Sequence, residues 1–174
     1  MKTIIGTKAD VAKELTAQVA AVLASKPEAN IAISAVDLPA EVLDALAASD
    51  IAFDRAALFQ ACEYCGAAGK GAHAVGTAFS PLTAAKPFAA VHAPDPDADA
   101  EHAADYDAAI QAAGGLDLVI LGLGERGHVA FNEPGAGFGE KTHIAKLAEV
   151  TREAIAADFG TCAARWIARR SDGC

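Results

Sequence analysis

One stretch, residues 116–135, LDLVILGLGERGHVAFNEPG, constrains the fold more than any other. Its first half, Leu116 to Leu123, is apolar apart from Asp117 and Gly122. An apolar run of that length bounded by glycines predicts a strand buried on both faces, the kind found in a parallel sheet covered by helices. The second half turns through Gly122, Gly124 and Gly127 and presents Glu125, Arg126, His128, Asn132 and Glu133. Polar and ionisable groups just past the carboxyl end of a buried strand stand where an open α/β sheet places its ligand. The rest of the chain reads as scaffold for this loop.

The flanking pattern agrees. Residues 8–26 carry Val11, Leu15, Val19, Val22 and Leu23 at helical spacing, and Pro27 closes that helix. Residues 31–36 form a short run containing Ile31, Ile33 and Val36, hence a strand, and Pro39 opens a helix over AEVLDALAAS. Residues 55–64, RAALFQACEY, read as a second buried strand, and 88–92 as a short one. Residues 66–88 are rich in glycine and alanine and give no clear period. The acids of PDPDAD, 94–99, suit the positive end of a helix over 100–113, which Gly114 and Gly115 stop. A further helix is expected over 146–159. The arginine-rich end, TCAARWIARRSDGC, reads as an atypical tail over 161–174 without a further strand, after one domain over 1–160. Alternating strands and helices predict an α/β chain, a three-layer sandwich with a mostly parallel sheet.

Composition narrows the function. A net charge of -9 argues against nucleic acid or an anionic membrane as partner, while leaving room for a locally positive pocket and an anionic small molecule. Met1 to Ile5 meets Gly6 before any apolar core builds up, so no signal peptide is expected, and no apolar run approaches a membrane span. Four cysteines without a secretory signal suggest reduced thiols in the cytoplasm. Cys62 and Cys65 make a C-x-x-C, but no second pair follows at zinc spacing. They read better as small core residues than as a redox or metal pair.

Gly122, Gly124 and Gly127 match G-x-G-x-x-G after a strand, which taken alone suggests a dinucleotide pyrophosphate on a helix start. Asn132-Glu133-Pro134-Gly135 breaks any helix there, so that reading is set aside. His128 and Glu133 are the better chemical pair. An imidazole titrates near neutral pH and can move protons to and from a sugar ring oxygen, and a carboxylate beside it would orient it and stabilise the imidazolium. Against this stands a histidine satisfied by backbone carbonyls and a glutamate on a turn. In an arbitrary chain the second reading is favoured; in a glycine-rich loop after a buried strand the two weigh equally.

The run H-x-A-F-N-E-P-G, inside GGLDLVILGLGERGHVAFNEPG, resembles the signature of the glucosamine-6-phosphate deaminase/isomerase family, relatives of the 6-phosphogluconolactonases. The acidic turn and helix upstream, and FQACEY at 59–64, are similar to segments of that family. The resemblance implies a Rossmann-like sheet of the sugar-phosphate isomerase type. It also implies an enzyme of amino-sugar phosphate metabolism that opens the ring, shifts a proton between C2 and C1 and releases ammonia. The enzyme would act on a small-molecule sugar phosphate without a cofactor. His128 and Glu133 match two of the group that opens the ring. Gly124, Gly127, Asn132 and Glu63 match positions near substrate.

Several positions depart from the pattern. The family's Asp-Gly-His is Arg126-Gly127-His128 here, and its Asp-Glu-Tyr is Cys62-Glu63-Tyr64, which removes the aspartate that serves as proton-transfer base. The glycine- and threonine-rich phosphate loop reads Ser34-Ala35-Val36-Asp37-Leu38-Pro39, with an acid that would repel phosphate. By the resemblance, further strands and a phosphate-contacting lysine would follow the end of this chain. Together these imply impaired or altered activity, or a non-catalytic relative that binds a sugar phosphate or a partner protein. A nucleotide-binding module ranks last. An exposed sheet edge would favour a homo-oligomer.

Overall fold

The computed structural model describes residues 3–65, 74–97, 102–124, 127–133, 135–137, 141–151, 153 and 165–168. Helix α1, Lys8–Ser25, starts on a capping box: the Thr7 hydroxyl accepts from the Asp10 N–H (3.2 Å), and the Asp10 carboxylate accepts from the Thr7 N–H (2.9 Å). Strand β1, Asn30–Ile33, follows, and then helix α2, Ala40–Ala48, with Pro39 as its N-cap. Strand β2 is Ala57–Gln60 and β3 is Tyr64–Cys65. Helices α3, Ala74–Ala78, and α4, Ser80–Ala85, lead to strand β4, Ala90–His92. Helix α5, Ala103–Ala112, ends on Gly114 and Gly115, both at positive φ, and the Gly115 N–H donates to the Ile110 carbonyl (2.9 Å). Strands β5, Leu118–Ile120, β6, His143–Lys146, and β7, Arg165–Ala168, complete the order.

Four strands form a parallel sheet in the order β4-β2-β1-β5. Side chains alternate across it as the pleat requires. Ile31, Ile33, Leu58 and Ile120 point into the larger core, against Val19 and Leu23 of α1, Val42 and Leu46 of α2, and Leu82 of α4. Ala32, Phe59 and Val119 point the other way, against Tyr106 and Ile110 of α5. The expected three-layer α/β sandwich with a mostly parallel sheet is therefore present, with α1, α2 and α4 on one face and α5 on the other. Strands β3, β7 and β6 form a separate antiparallel sheet. Buried Asp107 of α5 ties this sheet to the first, accepting from the Thr142 N–H (3.0 Å) and hydroxyl (2.7 Å) just before β6. No helix among the described residues is long and apolar enough to cross a membrane.

Five expectations are corrected. The strand read over 116–123 is short and only half-buried: among the described residues β5 pairs with β1 alone, and Leu121 and Leu123 are 40% and 70% exposed. An apolar run marks a strand, but burial depends on neighbours that the run itself does not carry. The strand over 55–64 is two, β2 and β3, in different sheets, because the chain bends at residues 61–63 to bury Glu63. The stretch 66–88, which showed no period, holds α3 and α4 in its described part. Lys146 ends a strand rather than starting a helix, and the backbone becomes helical at 149. The tail contains β7, the strand that joins β3 to β6.

Leu46→Ala removes a side chain with no exposed surface and should cost about 2–5 kcal/mol of unfolding free energy. Leu123→Ala should stay within about 0.5 kcal/mol, although both leucines sit in apolar runs. Urea denaturation of the two variants measures the difference.

Candidate functional site

The chain runs from β1 towards β2 and β4, crosses the other face through α5, and returns on the opposite side of β1 as β5. The strand order thus reverses between β1 and β5. The carboxyl ends of β1 and β5 meet at this reversal, the position at which parallel α/β sheets bind ligands.

Two glycines bring the loops into contact. A Cβ on Gly122 would overlap the backbone of Val36 and Asp37, and a Cβ on Gly124 would overlap the imidazole of His128. With neither present, the β1 loop lies directly on the β5 loop. His128 Nε2 comes 2.7 Å from Asp37 Oδ2. The imidazole is 13% exposed and the carboxylate 33%, so the pair borders solvent without standing in it. Asp37 holds a φ of 55°, a left-handed conformation that non-glycine residues seldom adopt, although aspartate tolerates it better than most.

The β5 loop is stiffened by its own backbone. The Gly124 N–H donates to the His128 carbonyl (2.8 Å), and the Gly127 N–H donates to the Gly124 carbonyl (2.9 Å). Gly127 takes a φ of 79°, which glycine alone adopts without strain. Val129 and Asn132 exchange N–H to carbonyl bonds of 3.1 and 3.0 Å. Ala130 and Phe131 are buried, and the Phe131 ring packs on Tyr64 with centroids 5.3 Å apart. Turns and bridges, rather than a helix, follow Gly127, in keeping with the rejection of a dinucleotide fingerprint. Asn132 and Glu133 are half-buried at the loop's far end. Among the described residues, Glu133 Oε1 is buried with no hydrogen-bond partner. A carboxylate oxygen in that condition is costly and draws a proton donor from any molecule that fits beside it.

Glu63 is differently placed. It is 1% exposed, and four N–H groups fill its two oxygens: Tyr64 (2.8 Å) and Val75 (3.1 Å) on Oε1, Gly76 (2.9 Å) and the Gln60 amide (2.8 Å) on Oε2. The carboxylate joins β2, β3 and the start of α3, and its hydrogen-bonding capacity is spent within the protein. Its neighbour Cys62 is a free, buried thiol whose Sγ lies 3.5 Å from the Ser34 hydroxyl at the end of β1. Burial pushes this thiol up to about 12, and the charges of Glu63 and Asp37 push the same way against the Ser34 hydrogen bond.

The structure therefore brings His128, Gly124, Gly127, Asn132 and Glu133 together on one loop, and places Glu63 among β2, β3 and the start of α3. Asp37 was read from sequence as a group that repels phosphate, and its contact with His128 across 91 residues has no local signal. Ser34 was likewise missed as the neighbour of Cys62. Glu125, Arg126 and Pro134 lie outside the described residues, as does the side chain of Cys65. Among the described residues no group of three histidine, cysteine or acidic side chains could hold a metal ion.

A parallel sheet whose strand order reverses between β1 and β5, covered by helices on both faces, defines a three-layer α/β protein. The family model described as glucosamine-6-phosphate isomerases/6-phosphogluconolactonase matches residues 6–154, and the chain belongs to that family. The glucosamine-6-phosphate deaminase of Beutenbergia cavernae is 36% identical over 166 residues, covering 90% of this chain and 64% of the relative. That of Pseudarthrobacter chlorophenolicus is 36% identical over 169 residues, covering 92% and 65%. The chain thus spans slightly less than two thirds of the length of these relatives. Among solved structures, a monomeric glucosamine-6-phosphate deaminase superposes with a TM-score of 0.79 at 21% identity, over 97% of this chain and 76% of that one. The 6-phosphogluconolactonase of Thermotoga maritima superposes with a TM-score of 0.70 at 17% identity, over 95% and 74%. At such identities the likeness is one of fold.

Three outcomes follow from the packing. With its thiol near 12, Cys62 should resist iodoacetamide at about pH 8 in the folded protein and react once the chain is unfolded in urea. Peptide mapping that follows the Cys62 peptide alone measures this. Because the folded value is raised, the stability tied to the protonated thiol is fully present below its ordinary value of 9.0 and is lost as pH rises through about 12. Gly124→Ala should push the imidazole off Asp37 while leaving the sheet intact. Its expected signature is faster modification of His128 by diethyl pyrocarbonate with an unchanged far-ultraviolet circular dichroism spectrum.

Proposed function

We propose that this chain carries the ring-opening half of a glucosamine-6-phosphate deaminase/isomerase site and is impaired in the proton transfer that follows. Its ligand is a small-molecule sugar phosphate met in the cytoplasm. Opening a pyranose hemiacetal breaks the C1–O5 bond, takes a proton from the C1 hydroxyl and delivers one to O5. An imidazole held by a carboxylate does this work near neutral pH. His128 is that imidazole, and the unpaired buried oxygen of Glu133 accepts from a sugar hydroxyl. Gly124, Gly127 and Asn132 shape the loop around the opened sugar.

The next step, moving a proton from C2 to C1 before ammonia leaves, needs a base. Cys62 stands where the family resemblance puts that base, and its thiol stays protonated until about 12. This single observation carries the reading. Glu63 offers no substitute, since both its oxygens already accept from N–H groups. The same observation favours a second reading, in which the chain binds a sugar phosphate without turning it over.

The test follows glucosamine 6-phosphate by NMR in heavy water. The expected result is faster exchange between its α and β anomers, no deuterium at C1 or C2, and negligible ammonia. Ammonia release at about 1–10³ per second, the usual range for enzymes, would overturn the impairment. Binding with no acceleration of anomer exchange would leave the non-catalytic reading in its place.

A further inference from the structure

We infer that Asp37 is the positioning residue of His128, a carboxylate supplied by the loop after β1 in place of one beside the histidine in sequence. The assignment deepens the ring-opening reading, and its first test needs no sugar, so that either can fail without the other.

Four independent features converge on the contact. The Nε2–Oδ2 distance of 2.7 Å is that of a charge-assisted hydrogen bond. Asp37 is held at a φ of 55°, and a strained conformation persists only where its surroundings over-determine it. Gly122 lacks the Cβ that would collide with the Asp37 backbone, and Gly124 lacks the Cβ that would collide with the imidazole. Each of the two partners therefore lies against a glycine that makes room for it. The residue that resemblance would place in this role, two before the histidine, is Arg126, which carries no acceptor.

The contact decides which nitrogen can react. A carboxylate only accepts, so Nε2 donates to Asp37, and in the neutral ring the lone pair resides on Nδ1. Nδ1 is then the nitrogen that takes a proton from the sugar's C1 hydroxyl and returns one to O5. Asp37 touches neither atom. It holds the ring in one tautomer and one orientation, and it stabilises the imidazolium formed between the two transfers.

The experiment is ¹⁵N NMR of the full chain at about pH 9, above the ordinary imidazole range, with His128 assigned by comparison with His128→Gln. The expected result for the unaltered protein is the Nε2–H tautomer. Asp37→Asn keeps the shape but can donate or accept, and should give a mixture. Asp37→Gly suits the positive φ, so it should fold at least as well, and it should lose the Nε2–H preference altogether. Both variants should slow anomer exchange of glucosamine 6-phosphate on the order of tenfold or more, with binding affinity little changed. Retention of the Nε2–H tautomer in a folded Asp37→Gly overturns the assignment. A lost tautomer with an unchanged exchange rate overturns the catalytic consequence drawn from it.

Discussion

The site depends on two missing methyl groups. Gly122 and Gly124 are separated by one residue on the β5 loop, and each lets a different part of the molecule come closer than any side chain would permit. Gly122 admits the backbone of the β1 loop, and Gly124 seats the imidazole. Close approach of the two loops sets His128 against Asp37 at the strand reversal between β1 and β5. The G-x-G spacing is thus explained by packing, with no phosphate required. The strain at Asp37 and at Ala130, which holds a φ of 51°, lies on either side of this contact. Buried residues flank both: Ala130 and Phe131 are buried, the Phe131 ring packs on Tyr64, and β1 is buried along its whole length.

Buried polar groups carry the second structural burden. Glu63 gathers four N–H donors at the point where the chain leaves the parallel sheet and enters the antiparallel one. At the opposite end, the Asn30 amide donates to the Ala113 and Gly115 carbonyls (2.7 and 2.8 Å), while Asp117 accepts from the Asn30 N–H and from Lys26. These bonds fix the start of β5 relative to β1 and hence the height at which the His128 loop emerges. Around buried Glu63 and Asn30 such bonds specify a unique arrangement, because any shift strands a polar group in the interior. Ser34 and Cys62 show the contrast: a long contact between two weakly polar groups, in surroundings that keep the thiol protonated.

Two ionisable sites near the ends of β1, β2 and β5 differ in their surroundings. The His128 imidazole is paired with the Asp37 carboxylate, and both are partly solvated. The Cys62 thiol has no exposed surface, and burial keeps it in its acid form.

Local sequence determined much of this molecule. The periodicity of residues 8–26 and the cap at Thr7 set α1, the apolar alternation of β1 and β2 set two faces, and paired glycines ended α5. The segment from Gly122 to Glu133 was legible as a loop after an apolar strand, because its glycines and the run Asn132-Glu133-Pro134-Gly135 break regular structure. The tertiary structure alone decided three things. Asp37 became the partner of His128 because strand order places β1 beside β5 although their loops are 91 residues apart. Glu63 became part of the framework because α3 aims its first N–H groups at the carboxylate. Cys62 was held in its protonated form because burial, a property of the assembled core rather than of residue type, removed the water that would stabilise its charge.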